Sequence, residues 1–241
     1  TKDQGFTGAR YQPAAFIKED KHAEFIEHLK DSGMEETDLK TAQSNLSKFM
    51  RRLLVTRFES SKEAFRLTLD KMIRSNTLIE GWWFKLGKVP ISKKGIIPDA
   101  SEIMEDTNDN FEEQMDEELF EEQIAKYNSN GILTIDKSLI KEEFIQKVQS
   151  DIELLNQIKE EWFGADSPTR GIDPKSDGLI EVLNTKLKEN PKRKIVIFSA
   201  YADTVDYLYD ELIKKGQKRI FKYTSADSSA TNKAILKENF D

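Results

Sequence analysis

The chain has 241 residues, 44 acidic and 37 basic, and a formal charge of −7. This length fits one large domain or two smaller ones, and the 14 Phe and 3 Trp argue against wholesale disorder. The absence of cysteine excludes disulfides, a thiolate zinc site and a cysteine nucleophile, and it fits the reducing cytoplasm. No apolar run approaches the roughly 18 residues of a membrane-spanning helix, so we expect a cytoplasmic protein with no membrane partner.

The first part of the chain is predicted to be helical. Phe16–Leu29 has the apolar spacing of an amphipathic helix and follows an entry loop at residues 7–15. The strongest helix runs from about Ser44 to Ile73, and Ser60-Ser61 interrupts it and can cap its second half. A short connecting segment, Gly81–Pro98, is predicted to be a loop with at most a small hairpin around Val89 and Ile96.

The polar face of the Ser44–Ile73 helix is rich in basic residues. Three of its arginines, Arg51, Arg52 and Arg57, are candidates for contacts with nucleic-acid phosphates. The alternative is a face that only keeps the helix soluble. Trp82 and Trp83 could stack on bases, but adjacent tryptophans more often pack into a core, and packing is favoured.

Acidic residues are concentrated in one segment, residues 99–122, which has 12 of them and no Lys or Arg. The other 217 residues have 32 acidic and 37 basic side chains, and therefore carry a charge of +5. Blocks of like charge repel each other and stay solvated, so we interpret this segment as an acidic insert. The rest of the chain is mildly basic, which is compatible with nucleic-acid binding.

A second long helix follows the insert, with Thr134 or Asp136 as its cap and an apolar stripe from Phe144 to Trp162. Residues 164–171 contain Gly, Ser and Pro and form the best linker in the chain. The expected domains are therefore a helical region, residues 1–165, and a second region, residues 172–241.

The second region has a different pattern. A short helix around Leu179–Leu187 precedes a continuous apolar run, Lys194–Ala200, of the kind expected for a buried strand. A helix over Asp203–Lys215, a second strand over Arg219–Thr224 and a helix over Ser229–Phe240 follow. Alternation of strands and helices with short connections predicts a right-handed parallel α/β layer.

Ligands of parallel α/β sheets bind at the carboxyl ends of the strands. In this chain those ends contain Ser199, Tyr201, Thr224 and Ser225, and each precedes a helix N-terminus. The amides of a helix N-terminus suit a phosphate.

Several spaced segments resemble the second RecA-like lobe of superfamily 2 helicases, with the Swi/Snf and RapA-like translocases as the nearest match. They are Asp173-Pro174-Lys175, residues 192–212 (KRKIVIFSAYADTVDYLYDEL) and residues 223–229 (YTSADSS). Residues 51–69 (RRLLVTRFESSKEAFRLTL) resemble the helical segment that bacterial members place between their two lobes. The resemblance implies a mostly helical N-terminal region followed by a partial RecA-like parallel α/β lobe.

The family's activity is ATP-driven translocation along nucleic acid, usually duplex DNA. The resemblance carries over a nucleic-acid-binding role to Ser199, Tyr201 and Thr204 in the fourth motif and to Thr224 and Ser225 at the end of the next strand. The family often has a glycine near the position of Ser225, which would allow a close backbone approach to phosphate, and this chain has no glycine there.

The chain lacks the GxxxxGK[ST] phosphate loop, a magnesium-binding acidic motif in a strand setting and the late arginines that phosphoryl transfer requires. We therefore expect an inactive fragment with no catalytic or metal-binding residue of its own. In the full-length protein, ATP and magnesium would bind to the remainder of the same polypeptide, which includes the first lobe and the rest of the second.

Two other classes of function stay open. The chain could be a non-enzymatic helical scaffold or regulatory interaction module. It could also be a small-molecule α/β enzyme with Ser199 or Ser225 as nucleophile, although His22 and His28 are its only histidines and lie far from both serines in sequence.

Overall fold

The computed structural model describes residues 5–32, 35–92 and 132–240, and the acidic insert lies outside these ranges. The described part is mostly helical. Its helices and strands are α1 (His22–Ser32), α2 (Glu36–Ser60), α3 (Lys62–Gly81), β1 (Lys88–Ser92), β2 (Ile132–Asp136), α4 (Glu143–Phe163), α5 (Pro174–Glu189), α6 (Ala202–Lys214) and α7 (Ala230–Phe240).

The chain divides into two compact units. Unit 1 comprises Thr1–Leu54 and Leu69–Glu161, and unit 2 comprises Val55–Thr68 and Trp162–Asp241. The end of α2 and the start of α3 therefore belong to the same unit as the C-terminal helices. The domain division drawn from the linker at residues 164–171 stays a prediction.

The break in the long basic helix is confirmed. Helix α2 ends at Ser60 and α3 begins at Lys62, with Ser61 between them. The Ser61 hydroxyl accepts a hydrogen bond from the amide of Ala64 at 3.0 Å, which is the contact of an N-cap.

The start of the first helix was predicted too early. Helix α1 begins at His22, and the preceding chain forms three short 3₁₀ turns between Ala9 and Lys21. Pro13 starts the second of these turns, and Ile17 pairs with Ile140 in an isolated antiparallel bridge. Apolar spacing alone did not separate a buried irregular segment from a helix.

The segment after α3 also differs from the predicted loop. Trp82–Leu86 forms one π-helical turn, and β1 pairs with β2 in an antiparallel sheet in which Val89 faces Ile135. Thr134 is therefore a strand residue, and neither it nor Asp136 caps α4. Trp82 and Trp83 are both buried, which confirms packing over base stacking.

The core of unit 1 packs around the two-stranded sheet. Its buried residues come from the N-terminal turns, the helices α1 to α4, the π-helical turn, both strands and the 3₁₀ turn after β2: Ala9, Ala14, Phe16, Ile17, Phe25, Leu29, Leu39, Ile79, Trp83, Val89, Ile91, Ile135, Leu139, Ile140, Phe144, Ile145 and Val148. The alternating apolar residues of β1 and the apolar stripe of α4 both pack into this cluster. This follows from the side-chain period of two residues in a strand and about 3.6 residues in a helix.

Gly8 lies in the tightest part of the N-terminal segment. Its φ of 66° is in the left-handed region, and a Cβ added there would lie 2.5 Å from the Ser47 hydroxyl. Gly87 has nearly the same φ, 64°, but its nearest neighbour would be the Lys137 side chain at 3.8 Å. The two glycines thus share a backbone requirement and differ in the space around them.

We predict that Gly8→Ala destabilises the protein more than Gly87→Ala. Both substitutions cost about 1 kcal/mol for the left-handed backbone, and Gly8→Ala adds a steric cost on the order of 1–3 kcal/mol. Urea unfolding measures the difference. Because the buried Ser47 hydroxyl has no hydrogen-bond partner in the described residues, adding Ser47→Ala should recover part of the loss. Equal costs for the two glycines would contradict the close contact.

The helices of unit 2 form as predicted. Asp173 caps α5, Asn190 ends it, and Gly216, with a φ of 85°, follows α6. A small cluster of Ile180, Leu183 and Leu212 joins α5 to α6.

The two predicted parallel strands are not formed. Residues 194–200 and 219–224 are neither helix nor strand, and β1–β2 is the one sheet of the described residues. Four apolar side chains of the first run are exposed: Ile195, Val196, Ile197 and Phe198. A strand requires a hydrogen-bonding neighbour, and the described residues supply none for these runs.

Candidate functional site

The strongest cluster of polar side chains in unit 2 surrounds the junction of α2 and α3. The Thr204 hydroxyl, in the first turn of α6, lies 2.8 Å from the Ser60 hydroxyl and 3.0 Å from the Ser61 hydroxyl. Thr204 and Ser61 are both buried. The hydroxyls therefore hold the start of α6 against the break in the long helix.

Arg57 strengthens the same contact. Its guanidinium binds both carboxylate oxygens of Asp203, and its Nε donates to the Thr68 hydroxyl at 2.9 Å. It also lies 4.3 Å from the centroid of the Tyr201 ring, whose hydroxyl donates to Thr56 at 3.2 Å. We call Arg57, Ser60, Ser61, Tyr201, Asp203 and Thr204 the junction cluster.

The ion pair of the junction cluster is only partly solvated. The Arg57 and Asp203 side chains are 13% and 27% exposed. A two-pronged pair with little solvent access is stronger than a surface ion pair, which contributes at most about 1 kcal/mol. Arg57 thus has three partners at once: a carboxylate, a hydroxyl and an aromatic face.

Two lysines stabilise the connection on either side of the cluster. The Lys175 ammonium donates to the carbonyls of Glu59 and Ser60, at 3.0 Å for Ser60, and thereby caps the C-terminus of α2. The Lys62 ammonium donates to the carbonyl of Ile172 at 3.1 Å. Both lysines tie the helical segment to the chain that leads into α5.

Asp173 begins α5 and also binds α6. One carboxylate oxygen accepts hydrogen bonds from the amides of Lys175 and Ser176, both at 3.1 Å. The other accepts from the Tyr207 hydroxyl at 2.8 Å. Burial and the neighbouring Asp173 carboxylate raise the pKa of Tyr207 above its usual value, so Tyr207 stays a hydrogen-bond donor.

Ser199 lies just before the junction cluster. Its hydroxyl accepts a hydrogen bond from the amide of Tyr201 at 3.2 Å, which orients the chain entering α6. This contact is a local turn and gives the serine no activating base.

Thr224 and Ser225 belong to a separate turn before α7. The Asp227 carboxylate accepts hydrogen bonds from the Thr224 amide at 3.0 Å and from its hydroxyl at 2.7 Å. These donors lower the pKa of Asp227. Ser225 lies in the bend beside this turn, and its carbonyl accepts a hydrogen bond from the Ser228 amide. The turn therefore places a negative charge beside the two predicted phosphate-binding residues, which opposes phosphate at this spot.

Arg51 and Arg52 are in unit 1. Both are exposed on α2, and Arg51 donates to the carbonyl of Thr7.

Three of the eight residues predicted to bind nucleic acid are brought together in the junction cluster: Arg57, Tyr201 and Thr204. Ser199 is next to it in the chain.

The acidic member of the cluster, Asp203, was not predicted. Asp203 was assigned to the start of a helix but not to an ion pair, because 146 residues separate it from Arg57. Ser60 and Ser61 were predicted as a break and a helix cap, but not as partners of Thr204. Lys175 entered only through the family resemblance. The available signal was the pair of adjacent serines at the helix break. One hydroxyl can cap the helix, and the second can accept a hydrogen bond from another segment.

The hydrogen bonds and the ion pair of the junction cluster position chain segments. Among residues 5–32, 35–92 and 132–240, no three His, Asp or Glu side chains gather in a way that could hold a metal ion. The helices in the same ranges include none long and apolar enough to cross a membrane. No family model, curated protein or solved structure matches the chain.

Proposed function

We propose that the chain is part of an ATP-dependent translocase acting on nucleic acid, in particular duplex DNA. In this proposal ATP and magnesium are bound by the rest of the full-length polypeptide, and the isolated chain hydrolyses no ATP. Its own roles are contacts with the nucleic-acid backbone and coupling between a helical segment and an α/β lobe.

The junction cluster is the observation that carries the proposal. The two segments that resemble the helicase family, residues 51–69 and residues 192–212, meet through Arg57, Asp203 and Thr204. A rigid joint between a helical segment and the start of α6 is what transmission of movement between them requires.

The parallel lobe is part of this proposal. Residues 194–200 and 219–224 each precede a helix, α6 and α7, in the order expected for a parallel layer. The second run is held to α6 by an ion pair between Lys222 and Asp206 at 2.6 Å, and Ile220 packs on the unit 2 cluster. In the proposed full-length protein both runs pair with further strands.

In this proposal, the exposed arginines are the main candidates for contacts with the phosphates of the nucleic acid. Arg51 and Arg52 are exposed on α2, whereas Arg57 is engaged with Asp203. We therefore place Arg51 and Arg52 at the backbone of the nucleic acid and give Arg57 a positioning role, with Tyr201 and Thr204.

We predict that the chain binds a fluorescent DNA duplex weakly and with a steep negative dependence on salt. Replacing Arg51 and Arg52 together by alanine should reduce the slope of log K against log salt by roughly 2, since each phosphate contact contributes about 0.9. A double variant of Lys30→Ala and Lys188→Ala removes the same charge from exposed positions on α1 and α5 and should change the slope less.

An unchanged slope in the arginine variant would remove α2 from the interface. The absence of binding at low salt would favour the second candidate, a helical scaffold. That candidate has its own support, because Arg57, Tyr201 and Thr204 already have partners within unit 2.

A further inference from the structure

We propose that residues 194–200 are a docking edge for one added β-strand. The occupant is a parallel, β-branched apolar strand with acidic residues at its N-terminal end, on polypeptide outside this chain. The inference rests on the α/β part of the proposed function, and its test involves no DNA.

Four consecutive apolar side chains of the docking edge are exposed to solvent. Phe198 is 90% exposed, and Ile195, Val196 and Ile197 are 37%, 52% and 42% exposed. In a pleated strand, neighbouring side chains point to opposite faces. Four consecutive exposed apolar side chains therefore leave both faces of such a strand open, with Val196 and Phe198 on the more exposed one.

The backbone limits what can cover this run. Among the described residues, 194–200 takes part in no helix, strand or bridge. Tyr201, directly after it, has the extended backbone of a strand, with φ −126° and ψ 128°. An apolar helix would cover side chains only, whereas an added strand also pairs with the amides and carbonyls.

The pattern of residues sets the direction of the added strand. A run that is continuously apolar is typical of a strand covered on both faces, as in parallel sheets. A run, a helix and a second run, as in 194–200, α6 and 219–224, is also the order of parallel strands.

The charges select the partner. Lys192 and Arg193 precede the first run, which begins at Lys194, and Lys218 precedes the second run, which begins at Arg219. Parallel strands begin at the same edge, so an added strand with acidic residues at its start would face these cations. A second copy paired in parallel would instead place cations opposite cations.

The probe is an octapeptide of two aspartates followed by alternating valine and isoleucine. It carries a fluorophore at its N-terminus. We expect it to bind the chain saturably by fluorescence anisotropy. A peptide with two lysines at its start and a peptide N-methylated at alternate residues should each bind at least 10-fold more weakly. Equal binding of the N-methylated peptide would overturn strand pairing, because it keeps the side chains and loses the amide donors.

Variants of the chain locate the peptide. Val196→Lys with Phe198→Lys should weaken binding at least 10-fold, and Val182→Lys, at a 56% exposed position on α5, should not. Because the chain has no cysteine, Asn190→Cys gives a single site for a quencher. A parallel strand predicts stronger quenching of an N-terminal than of a C-terminal fluorophore, and the opposite result would overturn the direction.

Sedimentation distinguishes the other occupant. A dimer that is abolished by the same double lysine variant, without peptide binding, would mean that a second copy covers the edge and would overturn the proposal. Salt-dependent DNA binding without peptide binding would leave the proposed nucleic-acid role standing and refute the docking edge alone.

Discussion

Replacing Arg57 with alanine is expected to lower the free energy of unfolding by about 2–4 kcal/mol, because a largely shielded carboxylate loses its partner. The same change removes the cation above the Tyr201 ring and the donor to Thr68. Arg57→Lys keeps the charge but not the two-pronged geometry, and it should recover less than half of the loss. Urea unfolding measures both variants.

Arg66→Ala is the matched control for Arg57→Ala. Arg66 is also an arginine near the start of α3, but it binds Glu63 three residues away, with side chains 38% and 31% exposed. A local surface pair of this kind is worth at most about 1 kcal/mol. A similar cost for both arginines would contradict a special role of the junction cluster.

A double-mutant cycle between Arg57→Ala and Asp203→Ala isolates the pair itself. We expect a coupling energy of about 1–3 kcal/mol, since the two side chains touch directly. Additive losses would mean that each residue acts through other neighbours. In the DNA titration, Arg57→Ala should change the salt slope less than the Arg51 and Arg52 double variant, because Arg57 is held by Asp203.

Local sequence signals predicted where helices occur, but not every residue at which they begin. The serines at 60 and 61 offer a hydroxyl cap, and the chain breaks its helix there. The spacing of Leu179–Leu187 predicted α5, although its start at Asp173 and Pro174 was not predicted. Gly216 allows the left-handed residue after α6. These features depend on contacts within four residues, which a sequence displays directly.

Contacts across the chain could not be predicted in the same way. The Arg57 and Asp203 pair spans 146 positions, and nothing in the spacing of either segment points to the other. β1 pairs with a strand on the far side of the acidic insert, so its partner was not visible locally. The runs at 194–200 and 219–224 have strand composition, but composition does not supply the neighbouring strand that pairing needs.

Asp151 is the second such long-range contact. It lies on α4, is 1% exposed and binds the N-terminal segment. Its carboxylate accepts hydrogen bonds from the Thr7 amide at 2.5 Å, the Thr7 hydroxyl at 2.9 Å and the Gly8 amide at 2.8 Å. The spacing of α4 gave no reason to distinguish this aspartate from the solvent-facing acids of the same helix.

Replacing Asp151 with alanine is expected to cost about 3–5 kcal/mol, because it leaves the donors around the carboxylate without an acceptor. Asp151→Asn retains the shape and one acceptor and should cost less. Urea unfolding of the two variants gives both numbers. Asp136→Asn is the control, since the Asp136 carboxylate is bound by Ser138 but exposed to solvent. If Asp151→Asn cost less than Asp136→Asn, this result would contradict a stabilising role of the hydrogen bonds to the buried Asp151 carboxylate.

The pH dependence of these costs distinguishes the two aspartates. Burial raises the pKa of Asp151, so the folded protein holds this proton more tightly than the unfolded chain does. The stability of the parent chain relative to Asp151→Asn should therefore increase as the pH falls from about 7 to about 3. The Ser138 hydroxyl and amide lower the pKa of Asp136, so the cost of Asp136→Asn should shrink over the same range. If the cost of Asp151→Asn also shrank, the three donors would outweigh burial, and the carboxylate would be held in its charged form.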